Sequence, residues 1–405
     1  MKKMTRFLLP VLAVLLIFAV RSAVLVNFSV EPVMESPEYA YRILEDGSAE
    51  ITKYLGIADS GLVIPQVLDG HKVTAIGYRA FSGSDSTSVT IPESVTSIGE
   101  EAFAYCTELT AVSIQDGVTT IGDGAFAFAD LTSVSIPESV TTIGGWAFFM
   151  NKYLTSVSIP EGVLSIGESA FSFTGLTSVT IPESVTFIGA YAFSITDLTS
   201  VVIPESAISI GDGVFSGCHS LTSVTIPAGV TSIGAKAFSG SGLTSLTIPE
   251  GVTAIGDGAF AECRDLATVM IPESVTAIGD HAFSDSGLTS VHIPESVTVI
   301  GDHAFSGCRG LTSVTIPGSV AAVGDLAFSY SGLTSVTIRE GVTAIGVQAF
   351  MGCRSLTSVI IPDSVTSIGV FAFMDCDQAV LTVGPGSYAE KYAADEQIAF
   401  VHPDR

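Results

Sequence analysis

Positive charge is scarce in this chain: 16 Lys and Arg stand against 41 Asp and Glu over 405 residues, a formal net charge of −25. A nucleic-acid groove needs a basic field to neutralise phosphates, so that class of partner is excluded as a main role. Charge of either sign is sparse, at 14% against about 25% in an average soluble domain. With 47% apolar residues, the chain is also unlike a disordered segment, which joins low hydrophobicity to high charge density. There is no Cys-x-x-Cys, which leaves a structural zinc site without support. Gly-x-Ser-x-Gly is missing and the six histidines are scattered. No nucleophile–base constellation emerges, and the chain reads as non-catalytic, with no cofactor.

The one long apolar run lies at the start. Lys2, Lys3 and Arg6 precede Phe7–Val20, fourteen residues, a basic n-region followed by an h-region of signal-peptide length. That run is short of the roughly 20 residues of a spanning helix. Residues 1–23 therefore read as a cleaved signal peptide or an uncleaved anchor; Arg21 makes Ala23 a poor cleavage position, with Val20 and Ser22 as the alternative pair. Because no Cys precedes Cys106, a lipid-modified cysteine after the signal is not expected. Export, to the medium or the cell surface, is the expectation.

What the chain has in abundance is repetition. Phe recurs at 81, 103, 126, 148, 171, 193, 215, 238, 260, 283, 305, 328, 350 and 373. Steps of 22 or 23 residues are the signature of a solenoid, in which each unit buries its apolar face only against its neighbours. One unit runs Leu311-Thr-Ser-Val-Thr-Ile-Pro-Gly-Ser-Val320 and on to Ala327-Phe328, fitting Leu-x-x-Leu-x-Leu with Val and Ile at the later positions. Val and Ile two apart face one side of a strand, and the following Pro (Pro92, Pro137, Pro272) stops it. Val-Thr-x-Ile reads as a second extended stretch. Asp-x-Ala-Phe reads as a short helical turn with Asp257, Asp280, Asp302 and Asp325 as N-caps. A Gly four residues before each Phe, from Gly77 to Gly369, marks a positive φ or a close backbone approach.

The expected fold is thus a β-rich leucine-rich repeat solenoid of about fourteen coils spanning residues 71–378, with strands about 4.8 Å apart. Residues 24–38 read as a linker and 39–70 as an N-terminal cap with a β-hairpin around Asp46-Gly47. Residues 379–405 read as a C-terminal cap, a helix over Ser387–Gln397 followed by a strand over Ile398–Val401.

The unit resembles that of the BspA-like leucine-rich repeat proteins. Ile91-Pro92-Glu-Ser-Val-Thr-Ser-Ile98-Gly99 and Ala102-Phe103-Ala-Tyr-Cys106 carry the match, and Val63-Ile64-Pro65 with Ile76-Gly77 resembles the family's first coil. Gln115 and Arg339 depart from it at the Pro position. The resemblance implies a secreted or surface-displayed protein, often adhesive towards host or neighbouring-cell proteins, with no shared catalytic residues.

Several columns invite functional readings. Coils 2 to 6 carry Tyr105, Phe128, Met150, Phe173 and Ile195 two residues after the repeat Phe, where later coils carry Gly217, Gly240, Glu262, Asp285 and Gly307. Trp146, Phe149, Tyr153, Phe187 and Tyr191 lie nearby in sequence. Stacked, they form an apolar stripe of the kind that contacts a protein partner, or else they fold inward. The six cysteines all fall three residues after the Phe and read as buried thiols; only Cys353 and Cys376 occupy adjacent coils and could bridge. His281 and His303 share a column beside Asp280 and Asp302, either solvated or gripping a metal. Glu93, Glu138, Glu161, Glu183, Glu205, Glu250, Glu273 and Glu295 form an acidic rim, and Arg264, Arg309 and Arg354 a sparse basic stripe. Thr132, Ser133, Ser135, Thr222, Ser223, Thr225, Thr312, Ser313 and Thr315 line a strand face that reads as β-favouring spacers or as a site for a polysaccharide or ice. A structural or self-associating surface component is the alternative to adhesion.

Overall fold

A 22-residue unit cannot bury its own Val, Ile and Phe, and in the computed structural model it does so by winding onto the next. The structure describes residues 33–57 and 60–403, so the signal-like segment lies outside the described residues. The residues up to Met34 form one unit, of which only Val33 and Met34 are described, and Glu35 onwards forms another.

Each coil but the eleventh, which has only the second, holds two short strands. In the fourth they are Ser133–Ser135 and Thr142–Ile143, separated by the Pro137-Glu138-Ser139 turn. Equivalent strands of successive coils pair in parallel and in register, Val157 with Val179 and Ile121 with Ile143. Strict register follows from the period-2 pattern, since a slip of one residue would turn every Val outward. In Ser133–Ser135 the central Val134 is buried and both serines are exposed.

At the start, Tyr39–Ile43 and Ala49–Tyr54 form the antiparallel hairpin expected around Asp46-Gly47. Its second strand pairs in parallel with His71–Ile76, so the hairpin supplies a level beneath the fourteen Phe-bearing coils, about fifteen in all. At the far end Val380–Val383 continues the first-strand sheet, the helix Tyr388–Asp395 is N-capped by Ser387, and Ala399–Val401 adds a last parallel strand.

The repeat phenylalanines form one continuous stack. Adjacent ring centroids lie 4.8–6.0 Å apart with interplanar angles of 2–18°. The caps complete it with aromatic ends of their own: Tyr54 stacks on Phe81 at 5.3 Å and Tyr392 meets Phe373 edge-on at 6.3 Å.

The segment around each Phe is a tight turn rather than the expected helical one. The residues two before and two after the Phe have left-handed φ, as in Glu101 (53°) and Tyr105 (61°) around Phe103. This geometry frees alternate amides to bond to the next coil, as in Glu101 to Asp123 (2.8 Å), Phe103 to Ala125 (2.7 Å) and Tyr105 to Ala127 (2.8 Å). The aspartates do not cap helices. Asp257 Oδ1 instead accepts from the amide of Asp280 (2.9 Å), Asp280 from Asp302 (2.8 Å), Asp302 from Asp325 (2.7 Å) and Asp325 from Val347 (2.7 Å).

The recurrent Gly answers the close-approach reading, not the positive-φ one. At Gly99 a Cβ would stand 2.6 Å from the Ile76 carbonyl oxygen and 2.9 Å from the Gly77 carbonyl carbon, with no left-handed φ. Threonine columns have a structural task as well. Thr96 Oγ1 donates to the Thr74 carbonyl (3.1 Å), Thr119 to Thr96 (3.1 Å) and Thr141 to Thr119 (3.2 Å).

At one level both sheets break together. The seventh coil carries Ala207 for Val and Val214 for Ala. Both sheets of the first six coils end before it, at Ser178–Thr180 and Phe187–Ile188. The Phe193–Phe215 spacing is the widest of the stack at 6.0 Å, and a small apolar cleft opens between Ile188, Ile203, Ile210, Val214 and Phe215.

Candidate partner-binding face

Tyr105, Phe128, Met150, Phe173 and Ile195 occupy the left-handed position two residues after the Phe, with φ of 61, 59, 63, 58 and 53°. Such a backbone costs a residue with a Cβ about 1–2 kcal/mol, and for β-branched Ile195 it is rarer still. The amides of these five residues are pinned to the following coil at 2.7–3.0 Å. Tyr105 is exposed and the other four are half-buried.

The side chains form a row. Tyr105 and Phe128 stack at 4.8 Å with planes 4° apart. Phe149, where neighbouring coils carry Ala127 and Ser172, is fully buried and supports the row from beneath, edge-on to Phe128 at 5.4 Å and to Phe173 at 5.5 Å. At the far end Ile195 leans over Gly217, whose Cβ, if it had one, would lie 2.9 Å from Ile195 Cγ1. Tyr191 leans over Gly213 in the same way, at 2.1 Å.

Two residues of the sequence-derived stripe therefore leave the accessible surface. Trp146, at 6% exposure, lies between coils that carry Gly124 and Ser169 in its column, and Phe149 is enclosed completely. Tyr153 and Tyr191 remain exposed; Lys152 Nζ sits 4.6 Å over the Tyr153 ring and 3.6 Å from Asp130. At the start of the row Arg79 pairs with Glu101 and lies 5.1 Å from the Tyr78 ring centroid. Partial burial, followed by the nearby carboxylates, raises the phenol pKa of Tyr105 and of Tyr191, so both stay neutral hydrogen-bonding groups at physiological pH.

A second apolar group escaped the sequence reading. Leu164, Phe187 and Ile208 are exposed by 52, 59 and 70%, Phe187 in the second strand of coil 6 and the other two immediately before those of coils 5 and 7. Leu164 and Ile208 replace the Thr of Val-Thr-x-Ile, and aligning that column would have found them.

The other candidate columns are quieter. His281 and His303 stack at 4.4 Å, but no group of three metal-ligating side chains exists among the described residues. The rim glutamates are exposed, as are Arg264, Arg309 and Arg354; Arg264 pairs with Glu262 at 3.4 Å. On the Ser/Thr face, Thr132 and Thr222 direct their hydroxyls to carbonyls of the preceding coil at 3.1 and 3.4 Å. All six cysteines are buried free thiols. Among the described residues no helix is long and apolar enough to cross a membrane.

Comparison with known proteins gives a consistent picture. The model of the BspA type leucine rich repeat region matches in six copies, over residues 74–197, 186–311 and 276–386. No curated protein matches the chain. A leucine-rich repeat protein from Bacteroides ovatus is 26% identical, with a TM-score of 0.64 over 94% of this chain and 100% of its own. A leucine rich cell surface protein from Faecalibacterium prausnitzii is 32% identical, with a TM-score of 0.51 over 90% of this chain and 98% of its own. The pneumococcal vaccine antigen PcpA shares the fold at 17% identity and a TM-score of 0.61, over 93% and 100% of the two chains. With its repeat, its Phe stack and the family model all covering the same coils, this chain belongs to the BspA type leucine-rich repeat family.

Proposed function

We propose that this chain is a non-catalytic protein, secreted or held at the cell surface, that binds another protein through the apolar row on coils 2 to 6. One observation carries the reading: five successive coils hold large apolar side chains in left-handed backbone where Gly217, Gly240, Gly307 and Gly352 serve later coils without strain. Strain retained through a run of neighbouring coils points to a task for the side chains themselves. Aromatic and Met side chains suit the core of a protein contact. The likeness to a leucine rich cell surface protein supports the location, and the basic, apolar start of the chain fits export. A host surface or matrix protein is the kind of partner expected.

Replacing Tyr105, Phe128 and Phe173 together by Gly tests the reading cleanly, because Gly relieves the backbone at these sites. The variant should stay folded by circular dichroism yet lose binding to host-cell or matrix extract by at least tenfold, as expected when central contact residues are removed. Undiminished binding by the folded variant would overturn the proposal.

Self-association is the second reading, favoured by the exposed Leu164, Phe187 and Ile208. Sedimentation at increasing concentration separates the two: self-assembly lost in Phe187→Ser but kept in the triple Gly variant would favour it. Polysaccharide binding through the Ser/Thr face has weaker support, since Thr hydroxyls of that face are engaged by the protein's own carbonyls.

A further inference from the structure

Three residues after each Phe lies a buried column in which small polar side chains touch from coil to coil. Ser241 and Cys263 stand 3.3 Å apart at their γ atoms, Ser286 and Cys308 3.3 Å, and Ser331 and Cys353 3.2 Å. Each cysteine also directs its thiol to a carbonyl of the preceding coil, Cys353 to Phe328 and Cys376 to Phe350, at 3.2 and 3.1 Å. From Cys218 onward Cys and Ser alternate in this column until the end, where Cys353 is followed by Cys376. We propose that Cys353 and Cys376 form a redox-responsive disulfide that fastens the last coil to the one before it.

The geometry is nearly in place. Phe350 and Phe373 stack at 5.3 Å, and amide bonds from Phe350 to Ala372 and from Gly352 to Met374, both 2.8 Å, fix the interval between the two coils. That interval falls within the roughly 4.4–6.8 Å that a disulfide spans between Cα atoms. Bridging then requires the sulfur atoms to close from the spacing of this column to about 2.05 Å. The nearness of the two thiols draws the Cys353 pKa down and, together with burial, drives that of Cys376 up. The other four cysteines have no cysteine in an adjacent coil. Burial raises the thiols of Cys106, Cys218, Cys263 and Cys308 to about 11, so they stay protonated and inert.

The oxidant is a small-molecule disulfide such as oxidised glutathione. When the terminal coil opens, Cys353 thiolate attacks one sulfur of the oxidant, giving a mixed disulfide and one released thiolate. Cys376, losing its proton, then attacks the Cys353 sulfur and expels the second thiolate. The protein loses two hydrogens and the oxidant becomes two thiols.

The full chain, purified reduced and then incubated with oxidised glutathione, tests this. Expected are a mass lower by about 2 Da, four titratable thiols after denaturation in place of the six of the reduced chain, and a single cross-linked peptide joining Cys353 to Cys376. Amide exchange in the last coil should slow by about tenfold or more on oxidation. Cys376→Ser should show no mass loss, and Cys308→Ser should behave like the parent. Since Ser occupies this column elsewhere, both variants should fold; Cys353→Ser gives a second check should one fail. Six free thiols after oxidation, a persistent glutathione adduct or a different cross-link would overturn the proposal. The result is independent of the partner-binding reading.

Discussion

Coils 2 to 6 and coils 8 to 14 share one core and differ in what they show to solvent. Both contribute rings to the same Phe stack and amides to the same inter-coil ladder. Yet at the left-handed position after the Phe, the first group carries Tyr, Phe, Met, Phe and Ile. The second carries chiefly Gly and Asp, with Tyr330 as the apolar exception. The difference teaches that the core fixes the backbone and leaves the outward residue free, so a surface can change along a solenoid without a change of fold. The seventh coil, where both sheets break, stands between the two groups.

The most severe test of a shared core is to remove a ring from each half. Phe148→Ala and Phe260→Ala should each cost about 3–5 kcal/mol, read by denaturant titration with amide exchange near the site. Unequal losses would show that the halves are not built alike. Smaller, and aimed at the boundary, is Gly→Ala at the close-approach position. Gly256→Ala would set a Cβ 2.6 Å from the Gly234 carbonyl carbon, whereas at Gly211 the nearest atom, the Ile188 carbonyl oxygen, is 3.3 Å away. The first should destabilise by about 2–3 kcal/mol and the second by less than about 1.

A swap between the halves comes next. Gly240→Ile should lower stability by about 1–2 kcal/mol, and Ile195→Gly should leave it unchanged or raised by up to about 1; equal losses in both would remove the strain argument. Slightest of all is a pH effect confined to the second group. Burial, then His281, lowers the His303 pKa from its ordinary 6.5, and Asp302, Asp280 and Asp325 oppose the shift. The unfolded chain therefore takes up this proton at a higher pH than the folded one. The contribution of His303 is complete above about pH 6.5 and is lost as pH falls toward the lowered value. His303→Gln should flatten that part of the denaturation midpoint between about pH 7.5 and 5.

Periodic features were the legible ones. Phe at a 22- or 23-residue interval, Val and Ile two apart, and the Asp46-Gly47 turn each specify local geometry from neighbours in sequence. The functions of Asp257 and Thr96 were hidden, because their partners lie a full coil away and only winding brings them together. Trp146 and Phe149 were misplaced for a related reason. Their inward course depends on the small residues above and below, Gly124 and Ser169 for one and Ala127 and Ser172 for the other. Tyr105, Phe128, Met150, Phe173 and Ile195 could be aligned from the sequence, but their left-handed backbone could not be read from apolar letters.

The amides around each Phe but the last point the same way, from each coil to the one that follows. Stacked over the coils, the peptide dipoles of this turn column add much as they do in a helix, while strand-side amides such as Thr119 to Thr96 and Gly122 to Ile98 point the other way. The turn column is accordingly polar, with unlike ends. At its first coil the Ala80 carbonyl accepts from the Tyr54 amide at 2.7 Å. Its last presents outward N–H groups, and there the Tyr392 phenol, whose pKa burial lifts to about 12, faces the backbone of Ala372 and Phe373.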